Sequence, residues 1–153
     1  MEGSSRLYDY GDILIDTQGV LYIYINDLDS DNELGIIDVA IINGENYGML
    51  TKINEQDSQY KLLSNYTFKS EYEYENTDKI FLSNVYRHIY QEELYVIEVR
   101  KDTDDEDYFY TVSLTWHPGR LIKSKKKYFN LEGMAYFKVV ILDYSEEKEK
   151  EGK

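Results

Sequence analysis

Cysteine is absent from the 153 residues, proline occurs once and histidine twice. Without thiols there is no disulfide framework, thiolate metal site, iron–sulfur cluster or cysteine nucleophile, and the composition fits a reducing compartment. Two imidazoles, His88 and His117, are too few for a multi-histidine metal centre within one chain. No apolar run approaches the roughly 18–20 residues of a membrane-spanning helix. The opening MEGSSRLYDY lacks the basic start and apolar stretch of a secretory signal. The expectation is a cytoplasmic protein with no cofactor and no membrane contact.

Acidic side chains and tyrosine are abundant instead. There are 30 acidic against 17 basic residues, a net charge of −13, and 17 tyrosines beside 5 phenylalanines and one tryptophan, Trp116. The balance is uneven: residues 120–127 carry five basic side chains and no acidic one, whereas residues 1–119 carry 24 acidic and 8 basic. A field of that sign repels duplex nucleic acid over most of the surface and attracts basic proteins.

Period-two alternation bounded by Gly, Asn and Asp clusters is the dominant pattern, which predicts strands and hairpins. Asp12–Asp16 and Val20–Asn26 flank one turn at Thr17–Gly19, and Gly35–Ile42 and Tyr47–Ile53 flank a second at Asn43–Asn46. Further strands are expected in Tyr66–Tyr74, Ile80–Tyr86, Leu94–Arg100, Tyr108–Trp116 and Ala135–Tyr144. One short helix is expected over Asp57–Asn65. The fold class is all-β with minor α: a small antiparallel barrel or two-layer sandwich of about eight strands. Residues 1–144 read as one domain and 145–153 as a charged, solvated tail. No internal repeat shows at a period of about 20–50 residues.

Four constellations are candidates for function. Asp27, Asp29, Asp31 and Asp38 have the spacing of calcium-loop ligands, although the flanks read as strands rather than helices. Arg120, Lys123, Lys125, Lys126 and Lys127 could seat phosphates, and His117, Arg120 and His88 form a separate catalytic constellation, with His117 as the proton-transfer group. Glu71, Tyr72, Glu73, Tyr74 and Glu75, together with Asp104, Asp105, Glu106, Asp107, Tyr108 and Tyr110, alternate carboxylates with phenol rings. Such a face suits a basic, groove-bearing partner, its carboxylates standing where nucleic-acid phosphates would stand.

Tyr10, Gly11, Asp12 and Ile13, followed by a hairpin, resemble the opening strand of small SH3-like barrels, including the MazF/PemK ribonuclease toxins. Those toxins continue with an Arg-Pro pair, where this chain has Leu21, Tyr22 and Ile23, so their chemistry does not carry over. In its small size, acidity and richness in Tyr, Ile, Lys and Asn, the chain is similar to bacteriophage and archaeal-virus accessory proteins that blunt host defences. The leading expectation is a non-enzymatic interaction protein whose acidic, tyrosine-lined surface binds a basic nucleic-acid-handling partner by nucleic-acid mimicry, as a viral or phage accessory inhibitor would. The alternatives are a phosphate-substrate or RNA-acting domain and an assembly subunit, and the edges of an open sheet would also suit a homodimer.

Overall fold

A computed structural model of the protein describes residues 7–27, 30–63, 66–69, 79–82, 85–91, 93–130 and 137–141. Alternation and turn chemistry produce β1 (Ile13–Ile15), β2 (Leu21–Tyr24), β3 (Ile36–Ile41), β4 (Leu50–Asn54) and β5 (Lys61–Leu62). These form an antiparallel sheet of order β4-β3-β2-β1-β5. β8 (Val85–His88), β9 (Tyr95–Glu98), β10 (Tyr108–Ser113), β11 (Leu121–Lys125) and β12 (Phe129–Asn130) form a second, of order β11-β10-β9-β8-β12. A third sheet places β13 (Phe137–Ile141) between β6 (Tyr66–Lys69) and β7 (Lys79–Leu82). The two edge strands of each five-stranded sheet do not pair with each other, so neither closes into a barrel and the arrangement is a two-layer sandwich.

The two large sheets repeat one plan. Each is a four-stranded meander whose fifth strand returns to pair with the first, and equivalent strands lie about 72 residues apart. β3 and β10 share the same alternation of half-buried and buried positions. The contacts between the halves are reciprocal. Asn26 N–H donates to Gly119 C=O at 2.9 Å, and its counterpart Arg100 N–H donates to Gly48 C=O at 2.7 Å. Equivalent groups meeting in both directions are the mark of a two-fold relation, here within one chain.

The core lies between the sheets. Ile13, Ile23, Ile25, Ala40 and Ile42 from the first half meet Val85, Ile97, Val99, Val112 and Leu114 from the second, all buried. The outer faces are covered as well. Leu14, Tyr22, Tyr24, Ile37, Val39, Ile41 and Ile53 pack beneath Tyr8, Val20 and Tyr60 on one sheet, and Leu94, Val96, Phe109 and Phe129 pack with Tyr86 and Tyr128 on the other. Burial on both faces explains why all four residues of β2 are inside.

Two local expectations are corrected. The helix over Asp57–Asn65 does not form across its described residues: Asp57 caps a turn by accepting from Gln59 N–H at 3.1 Å, and Lys61–Leu62 then becomes β5. A helix this short has an unfavourable nucleus, whereas pairing with β1 and packing of Tyr60 edge-on against Tyr22 satisfy the same residues. The helical turn found among the described residues is a 3-10 turn at Lys126–Tyr128. The run Ile80–Tyr86 is also divided, because β7 pairs with β13 while β8 pairs with β9 in a different sheet. Residues 145–153 lie outside the described residues.

Candidate binding site

Different side chains perform the same turn-fixing work in the two halves. Asp16 closes the β1–β2 turn by accepting from Gln18 N–H at 2.8 Å and Val20 N–H at 2.9 Å. Its counterpart His88 closes the β8–β9 turn, Nδ1 accepting from Tyr90 N–H and Gln91 N–H, each at 3.1 Å. Asn43 ties two turns together by accepting from Leu21 N–H at 2.7 Å and donating to Gly19 C=O at 3.1 Å. Thr115 does likewise, accepting from Tyr95 N–H at 3.0 Å and donating to Glu93 C=O at 2.5 Å.

His88 can accept two N–H bonds at Nδ1 only when that nitrogen carries no proton. Burial of the ring lowers its pKa from the ordinary histidine value. Tyr128 stacks on it at 5.9 Å and Tyr90 lies at 6.1 Å. A depressed folded pKa contributes stability that is fully present above the ordinary histidine range near 6.5 and is lost as pH falls through the lower folded value. Unfolding midpoints of the wild type are therefore expected to drop between neutral and mildly acidic pH, and His88→Asn, an acceptor that does not titrate, is expected to flatten that part of the curve. Parallel denaturant titrations of the two proteins check this, and equal slopes would remove His88 from the pH response. Asp16 has its own counterweights: burial alone would raise its carboxyl, but bonds from Tyr22 Oη and the turn N–H groups outweigh this and hold it low.

The fixed turns of the second half enclose a depression of about 340 Å³ lined by Gln91, Glu93, Leu94 and Trp116. Trp116 is 49% exposed and neighbouring Tyr90 74% exposed. The Trp116 ring meets His117 edge-on at 4.2 Å. Of the lining residues, Leu94 is buried and Glu93 exposed. In the first half the positions equivalent to Glu93 and Trp116 are Gly19 and Gly44.

The residues singled out from sequence are distributed as follows. Asp38 lies on β3, where Lys52 Nζ donates to it at 2.9 Å and Asn32 Nδ2 at 2.8 Å. Lys52 also donates to Ser30 Oγ at 2.8 Å and to Asn32 Oδ1, so an ammonium is held by this loop. Asp27 and Asp31 lie in the same connection, and Asp29 is outside the described residues. Glu71–Glu75 also fall outside them. Asp104, Asp105, Glu106 and Asp107 occupy the β9–β10 loop, at the opposite end of the second sheet from the Trp116 depression.

Tyr108 and Tyr110, assigned from sequence to the acidic face, sit directly across from Lys125 and Lys123, assigned to the phosphate segment. Lys123 and Lys125 Nζ lie 5.3 and 5.9 Å from the Tyr108 ring, and Lys101 lies 4.7 Å from that of Tyr110. Lys126 and Lys127 belong to the 3-10 turn, Lys127 lying 5.3 Å from the Tyr128 ring. Lys101, Lys123, Lys125 and Lys127 thus lie over phenol rings, and none of them forms an ion pair among the described residues. His117 has a positive φ of 49° in the turn before Arg120, and Arg120 bridges Asn26 through its backbone. No contact joins His117 to His88 among the described residues: His117 packs on Trp116, His88 on Tyr128 and Phe129.

In comparisons with known proteins, no family model, no curated protein and no solved structure matches the chain. Among the described residues no helix is long and apolar enough to cross a membrane. The Trp116 depression was not singled out from sequence, because RHIYQEE between the expected strands reads only as a turn or a single helical turn. The signal that finds it is the pair of glycines at the equivalent positions of the first half.

Proposed function

We propose that the protein is a non-enzymatic interaction protein whose acidic surface binds a basic, nucleic-acid-handling partner, in the manner of a nucleic-acid mimic. The observation that carries this reading is the β9–β10 loop. Asp102, Asp104, Asp105, Glu106 and Asp107 form no ion pair among the described residues, where Asp38–Lys52 is the pair that forms. Carboxylates that a chain leaves unneutralised in a protein of charge −13 attract a basic surface and accelerate its encounter. Their anchorage is firm. Asp105 accepts from Asp107 N–H at 2.9 Å, and Thr103 Oγ1 donates to Asp105 C=O at 2.6 Å.

The experiment is capture from a cell lysate, washed at low and then moderate salt, with retained proteins and nucleic acid assayed separately. Wild type is expected to retain a basic protein that salt releases. The variant Asp104→Asn, Asp105→Asn, Glu106→Gln and Asp107→Asn is expected to lose on the order of tenfold in affinity for that protein, with a shallower salt dependence. Equal retention by both would end the acidic-surface reading, and nucleic acid retained without protein would replace it.

A further inference from the structure

We infer that the depression between the β8–β9 and β10–β11 turns is a pocket for one arginine side chain of a basic protein partner, an inference that rests on the proposed interaction with such a partner. The repeat within the chain supplies the comparison. The first half ties its equivalent turns with equivalent hydrogen bonds, but there the backbone turns at glycine, Gly19 and Gly44, both at positive φ. Neither Glu93 nor Trp116 has a positive φ, so the second half carries large side chains where the backbone of the first favours glycine. The second half places a carboxylate, Glu93, and the chain's single tryptophan, Trp116, at those two positions, on either side of the depression.

The lining matches a guanidinium and its stem. Indole is the best aromatic partner for a cation, and a planar guanidinium stacks on it as an ammonium does not. Glu93 offers two oxygens to the N–H fork and Gln91 offers an amide oxygen, while Leu94 gives apolar surface to the methylene stem. A volume of about 340 Å³ lies at the lower end of ligand pockets and suits a single side chain. The walls are fixed beforehand: Thr115 bonds to Glu93 C=O at 2.5 Å and Tyr95 N–H at 3.0 Å, and His88 holds Gln91 N–H at 3.1 Å. Glu93 is the charged side chain that lines the depression. The Asn26–Arg120 bridge brings the start of the acidic β2–β3 connection to the turn that carries Trp116. Tyr90, largely exposed beside Gln91, extends the apolar surface for residues flanking the arginine.

Because Trp116 is the chain's one tryptophan, its emission reports on this pocket alone. The probe is a short glycine–serine peptide with one central arginine, titrated beside versions carrying lysine or citrulline at that position. The arginine peptide is expected to change Trp116 emission saturably, the lysine peptide to bind several-fold more weakly, and the citrulline peptide to have no effect. Glu93→Gln is expected to reduce affinity for the arginine peptide about tenfold with an unchanged unfolding midpoint. Trp116→Phe, followed by calorimetry, is expected to weaken binding as well. Citrulline binding as well as arginine, or Glu93→Gln binding as well as wild type, would overturn the pocket. The variant neutralised at residues 104–107 separates the two proposals: if it loses the lysate partner while Trp116 stays silent toward arginine, the pocket falls and the acidic-surface reading stands.

Discussion

Gly119→Ala is expected to destabilise the protein by about 3–5 kcal/mol, among the largest effects available to a single methyl group. Gly119 has φ of +87°, where an L side chain costs about 1–2 kcal/mol before any contact is considered. A Cβ there would lie 2.4 Å from Tyr24 O and 2.5 Å from Gly11 N, both backbone atoms that no rotamer change can remove. The carbonyl of the same residue accepts the Asn26 bond that joins the halves. The repeat supplies graded controls. At Gly48, the equivalent position, a Cβ would meet Glu98 O at 3.0 Å and the flexible Arg100 Cγ at 3.3 Å, so about 2 kcal/mol is expected. At Gly44, φ is +78° with nothing within 4 Å, and about 1 kcal/mol is expected from backbone conformation alone. Urea midpoints at constant m-value give the order, and Gly119→Ala no weaker than Gly44→Ala would refute the close approach.

That the chain is all-β was legible from period-two alternation, and the first two hairpins were legible from their glycine-bearing turns. The repeat was not, for a physical reason. Burial constrains shape and polarity rather than identity, so Ile13 corresponds to Val85, Ala40 to Val112 and Ile42 to Leu114. Turn fixing needs an acceptor at one spot, which Asp16 and His88 supply equally, and Asn43 and Thr115 likewise. Loops of unequal length shift the spacing between equivalent strands, which blurs any fixed period. The expected helix failed because a few helix-compatible residues next to an open sheet edge gain more from pairing than from one turn of helix. Lys123 and Lys125 could be placed in a basic segment from sequence, but their position over Tyr108 depends on cross-strand register, which the sequence does not state.

Truncating Ile23 or Ile97 to alanine is expected to cost about 3–4 kcal/mol in either case, since both side chains are fully buried at equivalent places in the one core between the sheets. The more informative expectation is which part of the chain responds. Trp116 belongs to the second half, and Ile23 to the first. If each sheet folded around its own outer core, Ile23→Ala would leave the Trp116 transition in place and far-UV circular dichroism would show two steps. A shared central core requires the opposite. Ile25 and Ile42 cannot stay buried once Ile97, Val99 and Leu114 lose order, so fluorescence and circular dichroism should shift together in one transition. Coincident curves for both variants establish the halves as one cooperative unit. Separate curves would mean that the reciprocal backbone bonds at Gly48 and Gly119 join two independently stable modules. In the cooperative case the arginine pocket gains its rigidity from both halves, because the turn bearing Trp116 is anchored through Gly119 to Asn26, just past β2 of the first.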